Sequence, residues 1–294
     1  MNILSLFDGM SCGQIALDKL GIKVDNYFAS EVDSYAIKVT QKNYPKTIQL
    51  GSILDVSGVD LPSIDLLYGG SPCQSFSRQG NNTGFDGKSG LFWEFIRVLK
   101  EVKPKFFLLE NVVMKKEWED IISSELGVKP IKINSSLVSA QKRNRLYWTN
   151  IPGVCQPLDR GVNVSDIIDI SRSRPKYEDK GIILGETNKG LMIKNATAKG
   201  YLESNNFDGV SLAFPNSTTR RGRVSVGKTS TLDTSCNHGF TYNKSIYHFN
   251  IIELERLQTV PDNYTDSVSD SQRKRMLGNG WTVDVIAHIF GNLI

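Results

Sequence analysis

The first 150 residues alternate short apolar runs with amphipathic stretches, and that alternation leaves few architectures open to the chain. Residues 3–7 read as a buried strand ending in Asp8-Gly9, and residues 14–20 as a helix stopped by Gly21. Residues 27–30 form a second strand with Glu31 just past its end, followed by a helix over 34–41. A strand over 64–68 ends in Gly69-Gly70, a helix spans 91–102, and a strand over 105–109 is stopped by Glu110-Asn111. This order predicts an α/β fold: a doubly wound, mostly parallel sheet covered by helices on both faces. Ligands bind such sheets beyond the carboxyl ends of the strands. Asp8, Glu31, the segment 71–73 and Glu110 all fall at those ends.

The texture changes over residues 155–245. Alternation weakens, and Gly, Ser, Thr and Asn become frequent. This stretch holds 13 Lys/Arg against 9 Asp/Glu, an excess equal to the chain's whole net charge of +4. Helical periodicity returns at 251–257 and 283–290. The predicted division is a large domain over 1–154, a small irregular lobe over 155–245, and C-terminal helices over 246–294 that return to the large domain.

At 294 residues, 39% hydrophobic and 22% charged, the chain suits one large core with a smaller lobe. No apolar run approaches the roughly 18 residues of a membrane span, and the N-terminus lacks the pattern of a secretory signal. The expected location is cytoplasmic, in a bacterial or phage-infected cell. Cys12, Cys73, Cys155 and Cys236 form no CxxC pair and no cluster with histidine, so neither a zinc site nor a disulfide framework is expected. No membrane contact and no obligate protein partner are inferred.

Three segments carry chemistry. In Gly69-Gly70-Ser71-Pro72-Cys73-Gln74, a cysteine sits in a turn just past a strand, where a thiolate can be exposed and reactive. Glu110-Asn111-Val112 lies at another strand end, and Gln141-Lys142-Arg143-Asn144-Arg145 precedes an apolar strand. Together these are the parts that activate a pyrimidine. Carbon 6 of cytosine becomes electrophilic when N3 is protonated or hydrogen-bonded; a carboxyl group can do that, and an arginine can hold O2 and the accumulating charge.

Six motifs in order resemble those of the DNA cytosine-C5 methyltransferases: Leu6-Phe7-Asp8-Gly9, Pro72-Cys73-Gln74, Glu110-Asn111-Val112, Gln141-x-Arg143-x-Arg145, the Glu253 to Asp262 segment, and Gly278-Asn279-Gly280. The resemblance covers nearly everything outside 155–245. Some details, including Trp281, are also similar to eukaryotic de novo enzymes. It implies the S-adenosylmethionine-dependent methyltransferase fold with an inserted target-recognition lobe, and double-stranded DNA as substrate. Cys73 would be the nucleophile on a flipped-out cytosine, with Glu110, Arg143 and Arg145 catalytic. S-adenosylmethionine would lie on Phe7, Asp8, Gly9, Glu31, Val32, Ser52, Ile53, Pro72, Leu91, Asn279, Gly280 and Trp281. DNA would be met by Ser75, Ser77 and Gln79 of a glycine-rich loop expected to close on the base, and by Arg220, Arg221 and Arg223 of the lobe. DNA is expected between the lobe and the large domain.

Three positions depart from the family pattern. Ser11 stands where the first motif has a second glycine, Ser52 where the third has an aspartate, and Gly280-Trp281 where the last has a small polar and an aliphatic residue. The adenine contact therefore falls to Ser52 or to the backbone of Ile53. A nicotinamide or flavin dinucleotide would suit the same topology, but the fuller GxGxxG turn is missing. An RNA-directed enzyme of similar architecture and a catalytically inert DNA-binding protein are the competing readings.

Overall fold

Hydrogen-bonding needs and the apolar runs resolve into a sheet whose order is β3-β2-β1-β4-β5-β7-β6, in a computed structural model that describes residues 1–72 and 90–293. The strands are β1 (Asn2–Leu6), β2 (Asn26–Ser30), β3 (Ile48–Gln49), β4 (Leu66–Gly70), β5 (Phe106–Val112), β6 (Ile131–Asn134) and β7 (Asn144–Thr149). β1 to β5 pair in parallel, and β7 is antiparallel to both β5 and β6. Chain order reverses at β1, with β2 and β3 on one side and β4 on the other, so the switch point lies between the ends of β1 and β4.

By packing, the chain forms two compact units. The first comprises Met1–Asn134, Asn144–Pro157 and Val283–Ile294 and contains this sheet. Its early helices are α1 (Cys12–Lys19), α2 (Ser34–Asn43), α3 (Leu91–Val102) and α4 (Lys116–Leu126). Side chains alternate across a strand. Leu4, Leu6, Leu67 and Leu109 enter a core with Phe92, Phe95 and Trp148, all fully or almost fully buried. The Trp148 indole N–H is satisfied by Ser123 Oγ of α4 at 2.9 Å, as a buried indole requires. β5 runs on through Glu110 and Asn111, which were expected to stop it. Pairing with β7 continues there, Glu110 opposite Tyr147 and Val112 opposite Arg145, and those ladder bonds outweigh the low strand preference of the polar pair.

The second unit comprises Ser135–Arg143 and Leu158–Thr282. It holds a three-stranded antiparallel sheet of β8 (Ile183–Glu186), β9 (Gly190–Lys194) and β10 (Tyr201–Asn205). A four-stranded sheet follows, order β12-β11-β13-β14, from β11 (Gly209–Ser211), β12 (Val224–Ser225), β13 (His238–Tyr242) and β14 (Ser245–His248). Ile182, Leu191, Ile193, Val210, Leu212 and Ile246 make its core. The strands are too short for alternation to register in the sequence. Helices α5 (Val164–Ile167), α6 (Ile251–Leu257) and α7 (Asp270–Asn279) complete this unit.

The packing boundary thus groups residues 246–282 with the lobe rather than with 1–154. The physical reason lies in α6. It starts on a capping box between Asn250 and Glu253. Glu253 is fully buried and pairs with Arg174 at 2.7 Å, and the Leu257 carbonyl accepts from Ser139 Oγ at 2.6 Å. The chain then rejoins the first unit as α8 (Val283–Phe290). α8 packs on α1, with Lys19 to Asp284 at 2.5 Å and the Tyr68 and Phe290 rings 5.3 Å apart. Among the described residues no helix is long and apolar enough to cross a membrane.

Candidate active site

The turn after β1 is wound tightly. Phe7 (φ 57°), Gly9 (φ 58°) and Ser11 (φ 63°) all take left-handed backbone conformations. Gly9 adopts this at little cost and leaves open space where a side chain would stand. Ser11, in place of the family's second glycine, adopts it with a side chain. Its Oγ is tied in by Gln14 Nε2 at 2.9 Å and lies 3.3 Å from the Tyr27 hydroxyl. Gly13 is required for a different reason: a Cβ there would collide with the Tyr68 ring and hydroxyl.

Next to this turn lies a buried polar network whose members are far apart along the chain. Tyr27 donates to Asp8 Oδ1 at 2.7 Å, and its hydroxyl is 2.6 Å from that of Tyr68. Asp8 Oδ2 is buried with no hydrogen-bond partner among the described residues. Burial pushes the Asp8 carboxyl up to about 6, against the pull of hydrogen bonds such as that from Tyr27. A tyrosine in an otherwise apolar strand, at both Tyr27 and Tyr68, was the available signal.

Glu31 follows β2 and gathers three backbone N–H groups: Gly9 at 2.7 Å on Oε2, and Val32 at 2.7 Å and Asp33 at 2.8 Å on Oε1. A carboxylate has roughly four acceptor positions, so one remains for a hydroxyl. Val32 beside it is 73% exposed. Ser52 caps a short 3-10 turn, its Oγ accepting from Leu54 N at 3.2 Å. Ile53 buries its side chain in the core, and its carbonyl accepts from Arg97 at 3.0 Å. Phe7 and Leu91 are partly buried against the same core, and Pro72 is half-buried.

At the end of β5 the alternation of the strand separates two roles. Glu110 Oε1 pairs with Arg145 Nε at 3.0 Å, both side chains largely buried. Their positions are diagonal across the β5–β7 ladder, within reach of long side chains. Asn111, on the opposite face, donates to Ser71 Oγ at 3.0 Å and to Ser71 O at 3.3 Å, and accepts from Val112 N at 2.8 Å. It anchors the chain two residues before Cys73. Cys73 itself, with Ser75, Ser77, Gln79 and the expected closing loop up to residue 89, lies outside the described residues.

Arg143 and the last motif belong to the second unit. Arg143 is buried and donates to the carbonyls of Leu232, Gly278 and Gly280, the last at 2.9 Å. Gln141 donates to Leu257 O and Gln258 Oε1 and accepts from Leu232 N, and Gln258 in turn donates to Leu277 O and Gly280 O. Gln141 and Arg143 thus shape the backbone from 278 to 280, while Arg145 joins Glu110 in the first unit. Asn279 is exposed; Gly280 and Trp281 are half-buried.

The lobe arginines also divide. Arg221 is exposed and Arg220 half-buried, but Arg223 is 1% exposed and directed at carbonyl groups. Of the other cysteines, Cys12 is buried, Cys155 exposed, and burial pushes the Cys236 thiol up to about 12.

Comparison with known proteins bears on both fold and family. The structure of a methyltransferase from Entamoeba histolytica, EhMeth, superposes with a TM-score of 0.69 at 17% identity, covering 100% of this chain and 99% of that one. The fold is that of S-adenosylmethionine-dependent methyltransferases. The Haemophilus aegyptius type II methyltransferase M.HaeII is 29% identical across 99% of this chain and 92% of its own length. The Neisseria lactamica type II methyltransferase M.NlaX is 27% identical across 98% and 94%. The profile of the C-5 cytosine-specific DNA methylase family matches residues 1–125 and 129–294. The chain therefore belongs to that family and is, by class, a DNA (cytosine-5)-methyltransferase.

Proposed function

We propose that this chain methylates carbon 5 of cytosine in double-stranded DNA through a covalent bond from Cys73 to carbon 6 of a flipped-out base. The observation that carries this reading is the end of β5. There the Glu110–Arg145 pair and the Asn111 anchor on Ser71 bring an acid, a guanidinium and the chain entering Cys73 to one strand terminus. Cytosine inside a duplex is out of reach, so the base must be extruded. Glu110 would hydrogen-bond N3, and Arg145 would hold O2. The thiolate of Cys73 adds to carbon 6, and the displaced electron pair makes carbon 5 nucleophilic. Carbon 5 would take the methyl group from the sulfonium, whose sulfur would leave as a neutral thioether; the carbon 5 proton would then pass to water acting as base, and the returning electron pair would expel the thiolate.

Bound S-adenosylmethionine would supply the electrophilic methyl group. The residues fit such a group: open space at Gly9, one remaining acceptor position on Glu31, and exposed Val32 lie at the carboxyl ends of β1 and β2. Phe7, Asp8, Ser52, Ile53, Pro72 and Leu91 would add to these contacts, with backbone rather than side-chain contact from Ile53. Asn279, Gly280 and Trp281 are assigned by family resemblance, and Arg143 would act by holding their backbone. Arg220 and Arg221 would meet DNA, as would Ser75, Ser77 and Gln79. The relatives named as type II methyltransferases support a role in restriction-modification.

Methyl-labelled cofactor offered with duplex DNA or with RNA tests the substrate. Label on carbon 5 of cytosine in DNA is the expected result, with the sequence context read by single-base conversion sequencing. Transfer to RNA alone, or to neither, would overturn the proposal.

A further inference from the structure

The β11–β12 hairpin is closed by residues 212–223, a loop built around a buried arginine. The Arg223 guanidinium donates to the carbonyls of Ala213 at 2.9 Å and Phe214 at 2.7 Å. The loop's base is closed by Ser211 N to Arg223 O at 2.8 Å, and Arg220 O is held by Ala196 N at 2.9 Å. Burying a cation against carbonyls without a carboxylate is costly, and here it fixes the backbone direction at 213–214. Phe214 is held at φ 52°, a conformation that a bulky residue rarely adopts. The residue is nonetheless 70% exposed. Burial cannot be what this strain secures, because most of the residue stays exposed.

The surroundings are basic. The Arg220 guanidinium stands 5.5 Å from the ring centroid and donates to Ser211 Oγ at 2.7 Å. Arg221 is exposed on the same loop. Lys176 and Lys180 line one cleft with Phe214, with Glu178 the only acid among its lining residues. An exposed apolar residue with Arg220 over its ring and Lys176 and Lys180 lining the same cleft matches a duplex, whose phosphates flank base edges bearing thymine methyl groups.

We propose that Phe214 is a specificity-determining residue: its ring contacts a thymine methyl group of the target sequence, Arg220 and the two lysines hold neighbouring phosphates, and Arg223 fixes the loop. This rests on the DNA-methylation reading above. The test compares the full chain, Phe214→Ala and Val226→Ala, the last altering a residue 77% exposed just after β12. Each methylates a randomised duplex library with S-adenosylmethionine, and methylated cytosines are mapped with their flanking sequence. Phe214→Ala should lose preference for a T·A pair at one position by roughly 5- to 100-fold, with the other positions and its thermal midpoint unchanged. Val226→Ala should match the wild type. Unaltered discrimination at every position in Phe214→Ala, or equal loss of activity on all sequences, overturns the assignment. If the wild type methylates no DNA, the functional reading itself fails and takes this inference with it.

Discussion

Single residues here often do two jobs, and substitutions should reveal both. Glu31 holds three backbone N–H groups before any ligand arrives. Glu31→Ala should weaken S-adenosylmethionine binding by roughly 1.5–3 kcal/mol, and should also lower stability of the cofactor-free protein by about 1–3 kcal/mol by orphaning those donors. Calorimetric titration and urea unfolding separate the two; unchanged values in both would make Glu31 a surface carboxylate. Arg221 and Arg223 should behave oppositely. Arg221→Ala should reduce the slope of log K against log salt for duplex DNA by about 0.9. Arg223→Ala should leave that slope and instead destabilise the protein by about 1–3 kcal/mol, through the carbonyls it abandons. A slope change in Arg223→Ala with normal stability would put that guanidinium on a phosphate.

Asp8 makes a pH prediction. Its carboxyl is raised by burial from 3.8 to about 6, so between those values the folded state binds more protons than the unfolded chain, and stability falls as pH rises. His238 runs the other way. Burial lowers it from 6.5 to about 4, so its contribution rises with pH over a similar window. Asp8→Asn removes only the first effect. Its stability relative to wild type should therefore climb between about pH 4 and pH 6, by no more than about 3 kcal/mol, and stay level above. Urea unfolding at several pH values reads this directly, and a pH-independent difference would show that Asp8 is solvated.

At the scale of elements, β5 is the strand on which the chemistry is mounted. Because its side chains alternate, Glu110 faces Arg145 while Asn111 faces Ser71. Asn111→Asp keeps the acceptor for Val112 N but loses both donors to Ser71. It should lower kcat while leaving the cofactor dissociation constant within about twofold, since Ser71 leads into the reactive segment. An unchanged kcat would mean the anchor is dispensable. This strand also shows where sequence reasoning reached its limit. The apolar run 105–109 announced the strand, but only the ladder to β7 could show that it continued through Glu110 and Asn111. Periodicity likewise found β1, β2 and β4, whose runs are buried on both faces. It missed the lobe's sheets, whose strands are two to five residues long.

At the scale of the whole molecule, the parallel sheet and the placement of Asp8, Glu31 and Glu110 at its strand ends were legible because covered sheets demand apolar runs broken by polar turns. The Tyr27–Tyr68–Asp8 network was not, because its members meet only across β1, β2 and β4. The split of Gln141, Arg143 and Arg145 was equally hidden: three similar motif positions serve different units, and only their hydrogen bonds tell them apart. The same holds for Arg223, which the local sequence cannot distinguish from Arg220 and Arg221.

The covalent step is the central claim, and 5-fluorocytosine tests it most directly. Fluorine at carbon 5 cannot leave as a proton does, so the adduct formed by Cys73 should be trapped after methyl transfer. Duplexes carrying 5-fluorocytosine at the methylated position, incubated with the full chain and S-adenosylmethionine, should yield a protein–DNA complex that survives denaturant. Cys73→Ala should abolish that complex, since only a thiolate of lowered pKa and good access attacks efficiently. Cys12→Ala, Cys155→Ala and Cys236→Ala should retain it. A complex that persists in Cys73→Ala and disappears in Cys155→Ala or Cys236→Ala would contradict the assignment and place the nucleophile elsewhere.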